Sequence, residues 1–419
     1  MRFAISAVSN TSRARLGSLS CFRRIPDICL ETPVLLLHSK GGCIPHLTLD
    51  VLELVSKDPL CIQLPLSSTI SCHIPLQEFK RGIGDFIGMK NNPIYCTVQD
   101  PANSSPVGYN ELDKVSIWSR SGREPVDPER YMDIMESFLP DMYQCLGDGE
   151  TDINSTNKRI LKSMKRSLDM FHKCLDRHKK SEVLKNSAFL ALLQGGYDIS
   201  SRVSFAKDVS ASDVDGYVID GLHGNGEEVE FFEYEKAKPV IKETIKVLPE
   251  DKFRVVHGCW SPEAVLHLVE EGIDAFDSSF PFIVTERGAA LTFCFKPGEE
   301  SKGCPSSLGE NGMNELDSAH LKSDNDSSLK EYMYEINLEN KKYADDFGPL
   351  LKDCSCYCCS QHTRAYIHHL ITNKELLARV LLMMHNLHHY LEFFKEIRRA
   401  IKEDSLRNLK VRISQGKTE

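Results

Sequence analysis

The 419-residue chain contains no apolar run approaching the ~20 residues needed to span a bilayer, so the sequence offers no transmembrane helix. A positive balance is also missing. Lys and Arg number 51 against 60 Asp and Glu, a formal charge of -9. No global basic field advertises nucleic-acid binding, so any RNA contact must use local patches. No secretory signal peptide precedes the 15 cysteines, most of which stand singly in apolar stretches, as Cys96, Cys174 and Cys294 do. The expectation is reduced thiols in an intracellular compartment, not a disulfide framework. The first 26 residues lack acids but hold Arg2, Arg13, Arg15, Arg23, Arg24 and several serines. That pattern resembles a mitochondrial transit peptide. The preferred alternative is an opening strand pair, from Phe3, Ile5 and Val8 to Leu16 and Leu19. No internal repeat is visible.

What is present reads as a soluble globular chain, with 41% hydrophobic and 26% charged residues. Short apolar runs at Val34 to Leu37, Phe189 to Gln194, Tyr217 to Leu222, Phe253 to Val256 and Ile273 to Phe276 read as buried strands. Helical patterns lie between several of them. Asn157 to Lys180 carries Ile160, Leu161, Met164, Leu168, Phe171 and Leu175 at helical spacing, and Ser261-Pro262-Glu263 looks like an N-cap with proline at the first helical position. Apolar strands alternating with helices imply α/β architecture, a parallel sheet covered by helices. At this length a (β/α)8 TIM-like barrel leads, and a doubly wound sheet is second. In a barrel the chemistry sits at the strand C-terminal ends. That directs attention to Gln194-Gly195-Gly196, Asp220-Gly221-Leu222, His257-Gly258 and Asp277.

The expected organisation is a barrel over 1–296 and an acidic disordered insertion over 297–330. A zinc-binding subdomain over 331–395 and a basic C-terminal tail over 396–419 follow. The insertion reading rests on composition: seven acids, three lysines, no aromatic residue and many Ser, Asn and Gly. Thr372-Asn373-Lys374-Glu375 reads as a capping box that opens a long helix. Leu377, Val380, Leu381, Met384, Leu387, Leu391 and Phe394 form the apolar stripe of that helix.

Cys354-Ser355-Cys356-Tyr357-Cys358-Cys359 gives C-x-C-x-x-C. A structural zinc ion takes four soft or borderline ligands in a closed tetrahedron, and one tight loop can supply three thiolates. His385, at the edge of the helical stripe, is placed to deliver the fourth. Spacing alone does not separate it from His388 or His389. The competing reading is a reduced cysteine-rich turn, or a redox pair using Cys358. His362, His368 and His369 read as surface or packing residues.

This cluster, followed by Arg364-Ala365-Tyr366-Ile367-His368-His369-Leu370 and a helical Met384-His385-Asn386, resembles the zinc subdomain of the tRNA-guanine transglycosylases. Leu193-Gln194-Gly195-Gly196, Gly216-Tyr217-Val218-Ile219-Asp220-Gly221-Leu222 and Gly272-Ile273-Asp274-Ala275-Phe276-Asp277 match that family in order, so the resemblance spans roughly residues 120 to 395. It implies a (β/α)8 barrel with a zinc-bearing insertion and one structural zinc on Cys354, Cys356, Cys359 and His385. It also implies exchange of a tRNA guanine for a 7-deazaguanine base, which in eukaryotes is queuine at the wobble position. Such exchange with retention is a double displacement through a covalent ribosyl-enzyme. Asp277 falls at the nucleophile position, and Gln194 and Gly221 are retained base-pocket positions. The structural alternative for an Asp at that point is a loop or helix N-cap residue.

The departures from the family pattern are as informative. Active members follow the nucleophile with two arginines expected to hold the anticodon loop; here those positions hold Ile283 and Glu286, and Arg287 is one place off register. A glutamate facing phosphates would repel them. The acid-base loop Asp-Ser-Gly-Gly-Phe-Gln has no counterpart. The corresponding region reads Thr97-Val98-Gln99-Asp100-Pro101-Ala102, with Asp100 as the one stand-in. The base-binding Gly-Gly-Leu is Asp220-Gly221-Leu222, with an extra carboxylate. The base-reading aspartate is shifted, with Gly147 and Asp148 near its place.

The pattern is similar to a non-catalytic accessory subunit, with Asp277 vestigial. It would pair as a heterodimer with a catalytic subunit of the same fold and help position tRNA. The rival enzymatic reading is an active transglycosylase using Asp277. An unrelated zinc-stabilised barrel hydrolase would need an open metal position, which three cysteines and one histidine do not leave. For RNA contact, the tail residues Lys395, Arg398, Arg399, Lys402, Arg407, Lys410 and Arg412 rank above the nine Lys and Arg of Asn157 to Lys180, which read first as a solvated face. The tail could also meet an anionic membrane. The resemblance implies a cytoplasmic protein. Peripheral attachment to the cytoplasmic side of the mitochondrial outer membrane is a further expectation.

Overall fold

The structure of the chain, a computed structural model, describes residues 1–297 and 332–415. The insertion expected at 297–330 lies outside the described residues from 298 onward.

Eight parallel strands close into a barrel in chain order: β1 (Val34–His38), β2 (Cys61–Pro65), β3 (Ile94–Thr97), β4 (Met142–Gln144), β5 (Ala188–Leu193), β6 (Gly216–Ile219), β7 (Phe253–Val255) and β8 (Ala275–Asp277). The ring closes where Ala275, Phe276 and Asp277 pair with Val34, Leu35 and Leu36. Every strand is buried, as strands covered by helices on the outside and packed side chains on the inside must be. The barrel, and not the doubly wound alternative, is therefore the fold. Five of the eight strands stand where the apolar runs placed them. β2, β3 and β4 escaped, because Gln63 and Pro65 interrupt one run and the other two, Ile94–Thr97 and Met142–Gln144, mix polar residues and tyrosine with few aliphatic ones.

Helix Asn157–Lys180 has the predicted bounds and is capped by Thr156, whose side chain accepts from Arg159 N. Ser261 caps Pro262–Glu270 in the same way, accepting from Ala264 N. Among the described residues, no helix is long and apolar enough to cross a membrane.

The opening segment forms the expected strand pair. Arg2–Val8 runs antiparallel to Arg15–Ser20, with Phe3 opposite Leu19, and Leu30–Thr32 adds a third strand. This sheet covers the N-terminal end of the barrel. Arg15 donates to Asp274, just before β8, at 2.5 and 2.7 Å, and to the Lys252 carbonyl, just before β7, at 2.6 Å. Arg24 pairs with Asp141, just before β4, at 3.0 Å.

The capping box at Thr372 does not form. Thr372 ends the preceding helix, Arg364–Thr372, and its hydroxyl donates back to the His368 carbonyl. Lys374 takes φ +58°, and Glu375 opens the next helix with no side-chain cap. Two helices meeting at a tight corner mimic a capping-box spacing. That next helix, Leu376–Lys402, crosses the 395/396 boundary drawn from the sequence, and Leu406–Gln415 lies within the expected tail. Both are packed: Ile397, Ala400, Ile401, Leu409 and Ile413 are buried. The stripe of the long helix extends nearly all round from Leu381 to Leu387, as a helix enclosed on all sides requires.

Candidate metal centre and barrel mouth

Parallel partners share a face, so the register brings His38, Gln63 and Tyr95 side by side at the C-terminal end of the barrel interior. The Tyr95 hydroxyl hydrogen-bonds His257 Nε2 at 3.0 Å across the interior. Above this layer opens a cavity of about 300 Å³ lined by Gln144, Gly149, Glu150, Asp220, His223 and His257, among others. Of the strand-end residues singled out in the sequence, Asp220 and His257 line it; Gln194 and Asp277 lie outside its lining.

Asp277 is buried at the end of β8. One carboxylate oxygen accepts from Gly258 N at 2.7 Å, and the other from Ser279 N at 2.9 Å and from the Ser279 hydroxyl. Burial still prevails over these donors and pushes its pKa up to about 7. Asp100 also sits in this region and raises Asp277 further. It is held by His38 Nε2 at 2.8 Å, Ala102 N at 2.9 Å and Asn103 Nδ2 at 2.7 Å. Burial opposes ionisation of Asp100, but the His38 contact and the other donors outweigh it and keep its pKa below the ordinary value. His38 had no place in the sequence reading; its position directly after the apolar run Val34 to Leu37 was the available signal.

The positions that the family resemblance gives as a base pocket lie against one another. Gln194 Nε2 donates to Asp220 Oδ2 at 2.9 Å, and burial raises the Asp220 carboxyl. Gly221 has φ +72°, and a Cβ there would lie 2.3 Å from Gln194 Oε1, so the tight approach needs glycine. A Cβ at Gly149 would lie 2.2 Å from Asp220 Oδ2, so the added carboxylate fills the space over the β4 loop. Asp148 is taken by Arg159 and Arg166, each at 2.9 Å, and by Asn110 at 2.9 Å. Burial would raise its pKa, but these donors hold it below the ordinary carboxylate value.

The former arginine positions do not offer a clamp. Ile283 is buried. Glu286 hydrogen-bonds His46 at 2.7 Å. Arg287 turns inward to Glu230 at 2.8 Å and Glu335 at 2.6 Å, with its guanidinium 3.9 Å from the Tyr332 ring centre. The off-register arginine is thus a structural cation.

The second site is the cysteine cluster. The ligand atoms of Cys354, Cys356, Cys359 and His385 all lie within 4.8 Å of one another. Zinc bonds of roughly 2.3 Å to sulfur and 2.0–2.1 Å to nitrogen at tetrahedral angles put the nitrogen about 3.6 Å from each sulfur. His385 Nδ1 lies 3.8, 3.5 and 3.3 Å from the Cys354, Cys356 and Cys359 sulfurs. Its other nitrogen, Nε2, lies 2.8 Å from the Leu291 carbonyl, which fixes the tautomer that leaves Nδ1 free to ligate. Asn386 fastens the same turn to the barrel side through Leu291 N, Ala289 O and the Thr285 hydroxyl.

The rival ligands are engaged elsewhere. His389 Nε2 meets the Phe293 carbonyl at 3.1 Å, and burial depresses its pKa to about 3. His388 lies 3.5 Å from the Ser355 hydroxyl and 3.4 Å from the Val55 carbonyl. Cys358 is fully buried and outside the group, so it forms no redox pair within it. Among the described residues, this is the one cluster of its kind, and its donor set suits a closed metal site.

Comparison with known proteins agrees with this geometry. The profile of the family described as queuine tRNA-ribosyltransferase matches residues 9–418. A protein of Gallus gallus named queuine tRNA-ribosyltransferase accessory subunit 2 is 40% identical, covering 94% of this chain and 93% of its own. The Homo sapiens protein of that name is 39% identical over 98% of both chains. That of Aedes aegypti is 36% identical over 98% of this chain and 91% of its own. Eight-stranded barrel, C-terminal Cys/His cluster and full-length similarity converge, and the chain belongs to the queuine tRNA-ribosyltransferase family.

Proposed function

We propose that this chain is the accessory subunit of a queuine tRNA-ribosyltransferase. It pairs with a catalytic subunit of the same fold and supports exchange of the wobble guanine of tRNA for queuine without performing the exchange itself. The observation that carries this reading is the base pocket. Gln194 spends its amide on Asp220, and Asp148 is neutralised by Arg159 and Arg166. A base arriving there would find the Gln194 amide nitrogen and Asp148 already engaged, with Gln194 Oε1 left without a partner, and an additional buried carboxylate to desolvate. Three further features favour the same reading. Asp277, with a pKa near 7, is only partly ionised at neutral pH and is hydrogen-bonded on both oxygens. Asp100 is locked to His38. Arg287 is committed to Glu230 and Glu335 and not to phosphate.

The ion at the cysteine cluster is taken to be zinc, because three thiolates and one imidazole in a closed tetrahedron leave no open position for substrate. Its role is structural. It ties the Cys354 to Cys359 loop to the long helix and, through His385 Nε2, to Leu291. Cys354, Cys356, Cys359 and His385 do the holding; catalysis belongs to the partner subunit.

The test is labelled-guanine exchange into tRNA by this chain alone, by its catalytic partner alone and by the mixture, with Asp277→Ala alongside. Activity confined to the mixture and unchanged by the substitution supports the accessory role. Exchange by this chain alone, abolished by Asp277→Ala, would establish the rival enzyme reading.

A further inference from the structure

The sequence alone ranked the C-terminal basic residues above helix Asn157–Lys180 as a contact for RNA. The structure reverses that order. Lys395 pairs with Asp58 and Glu392, Arg398 with Glu31, Arg399 and Arg412 with Glu396, and Lys410 with Glu270. Five of the seven tail cations are thus neutralised in place; Lys402 and Arg407 are exposed without an acidic partner among the described residues, but they stand on different helices and form no row.

In helix Asn157–Lys180 five of the nine cations are paired, Lys179 stands exposed at the far end without an acidic partner among the described residues, and the other three form a row near the start. Arg159 and Arg166 turn inward to Asp148, and Arg177 is taken by Glu129, Asp133 and Glu136. Lys173 and Lys180 pair with Asp169 and Asp176 on the helix itself. Lys158, Lys162 and Lys165 are exposed and have no acidic partner among the described residues. At 100° per residue they fall within an arc of about 60° and span about 10 Å along the axis. The nearby acids are already engaged: Glu150 meets Gly108 N and Arg159, and Asp152 holds Asn154 N and the Ser155 hydroxyl.

The position of the row matters as much as its charge. The helix starts at the C-terminal end of the barrel, directly after the β4 loop, where Thr151 bonds the Gly221 carbonyl and Arg159 holds Asp148. The three lysines therefore descend from the rim of the barrel mouth down its outer wall. A straight row of lysines on a rigid helix, whose next residue on the same face, Asp169, is taken by Lys173, suits a phosphate backbone read by charge and not by base identity.

We propose that Lys158, Lys162 and Lys165 form a track for the tRNA backbone on this subunit, contacting phosphates away from the base being exchanged. The inference rests on the accessory-subunit reading and deepens it by naming the surface that meets tRNA.

The experiment measures tRNA affinity of the assembled two-subunit complex against salt concentration, for wild type and for the Lys158→Ala/Lys162→Ala/Lys165→Ala triple variant. The control is Lys173→Ala/Lys179→Ala/Lys180→Ala, which removes the same charge from the far end of the same helix. Each phosphate contact contributes a slope of about -0.7 to -0.9 in log affinity against log salt. The track variant should therefore have a slope shallower by about 2 to 3. Across a fourfold rise in salt, its affinity should fall about 16- to 64-fold less than that of wild type. The control should shift the slope by less than one. An unchanged slope in the track variant, or equal shifts in the two variants, overturns the proposal. So does loss of binding to phosphatidylserine vesicles in the track variant with its tRNA slope intact, which would assign the row to a membrane. A wild-type complex whose tRNA affinity equals that of the catalytic subunit alone also overturns the track, whereas the accessory reading falls only if the exchange assay shows activity by this chain alone, so the two failures are distinguishable.

Discussion

His385→Ala is the sharpest perturbation of the cysteine cluster, because His385 joins three parts of the structure. Nδ1 faces the three sulfurs, Nε2 bonds Leu291 O, and the ring is fully buried in the long helix. A metal bound to the folded state at a thousandfold excess over its dissociation constant stabilises by about 4 kcal/mol. Losing one of four ligands forfeits most of that. Leaving the buried Leu291 carbonyl without its donor costs a further ~1–3 kcal/mol. The sum is about 5 kcal/mol or more, and for a chain of this size the unfolding midpoint should fall by roughly 6 °C. The assay is metal content by mass spectrometry together with thermal unfolding, with and without a strong chelator. Wild type should carry one equivalent of zinc and lose stability with chelator, whereas His385→Ala should be metal-free and indifferent to it. His388→Ala and His389→Ala should keep their metal, since neither histidine joins the cluster. Acidification should release the ion, because the thiolates and Nδ1 must shed protons to bind it. A His385→Ala protein that still holds one equivalent, or wild type whose midpoint ignores the chelator, would refute the four-ligand assignment.

Three further outcomes are expected. With a folded pKa of about 7 against an ordinary 3.8, Asp277 contributes stability that is fully present below about pH 4 and lost as pH rises through 7. The stability difference between wild type and Asp277→Asn should therefore shift by about 4 kcal/mol across that window in urea titrations, with wild type losing ground; a flat difference would mean that Asp277 is ionised throughout. Arg287→Ala should destabilise by about 3–5 kcal/mol in the same assay, because the buried carboxylates Glu230 and Glu335 lose the guanidinium between them, while tRNA affinity of the complex stays the same. A drop in affinity without loss of stability would show that Arg287 meets RNA. Arg15→Ala should cost a similar ~3–5 kcal/mol through buried Asp274, and a near-neutral result would show that the N-terminal sheet is dispensable to the barrel.

How much of this was legible in the sequence depended on range. The metal ligands were readable because three of them fall within six residues and thiolate chemistry restricts the alternatives. Choosing His385 over His388 and His389 from the residues alone was not possible. The choice depends on which helix face meets the loop and on a carbonyl at Leu291, 94 positions away. Strands β1, β5, β6, β7 and β8 were visible as apolar runs. β3 and β4 are as short as β7 and β8 but lack an aliphatic run, and β2 carries a polar residue inward. The false capping box at Thr372 shows the limit of local spacing: the same residues fit a helix start and a helix end, and the positive φ of Lys374 decides between them.

The barrel mouth was legible as a set of departures but not as an arrangement. The sequence shows that Asp220 stands where a glycine is expected in active members, but not that its carboxylate takes the Gln194 amide and fills the space over Gly149. It shows Arg287 one place off register, but not that Glu230 and Glu335 pull it inward. Each departure has thus become part of the fold. Restoring one family residue at a time would disturb its neighbours, because Gly149, Gln194 and Arg287 are packed around the changes. The scaffold is maintained by a different economy of contacts, in which former ligand groups pair with one another. That arrangement fits a subunit whose selected property is its shape beside a catalytic partner.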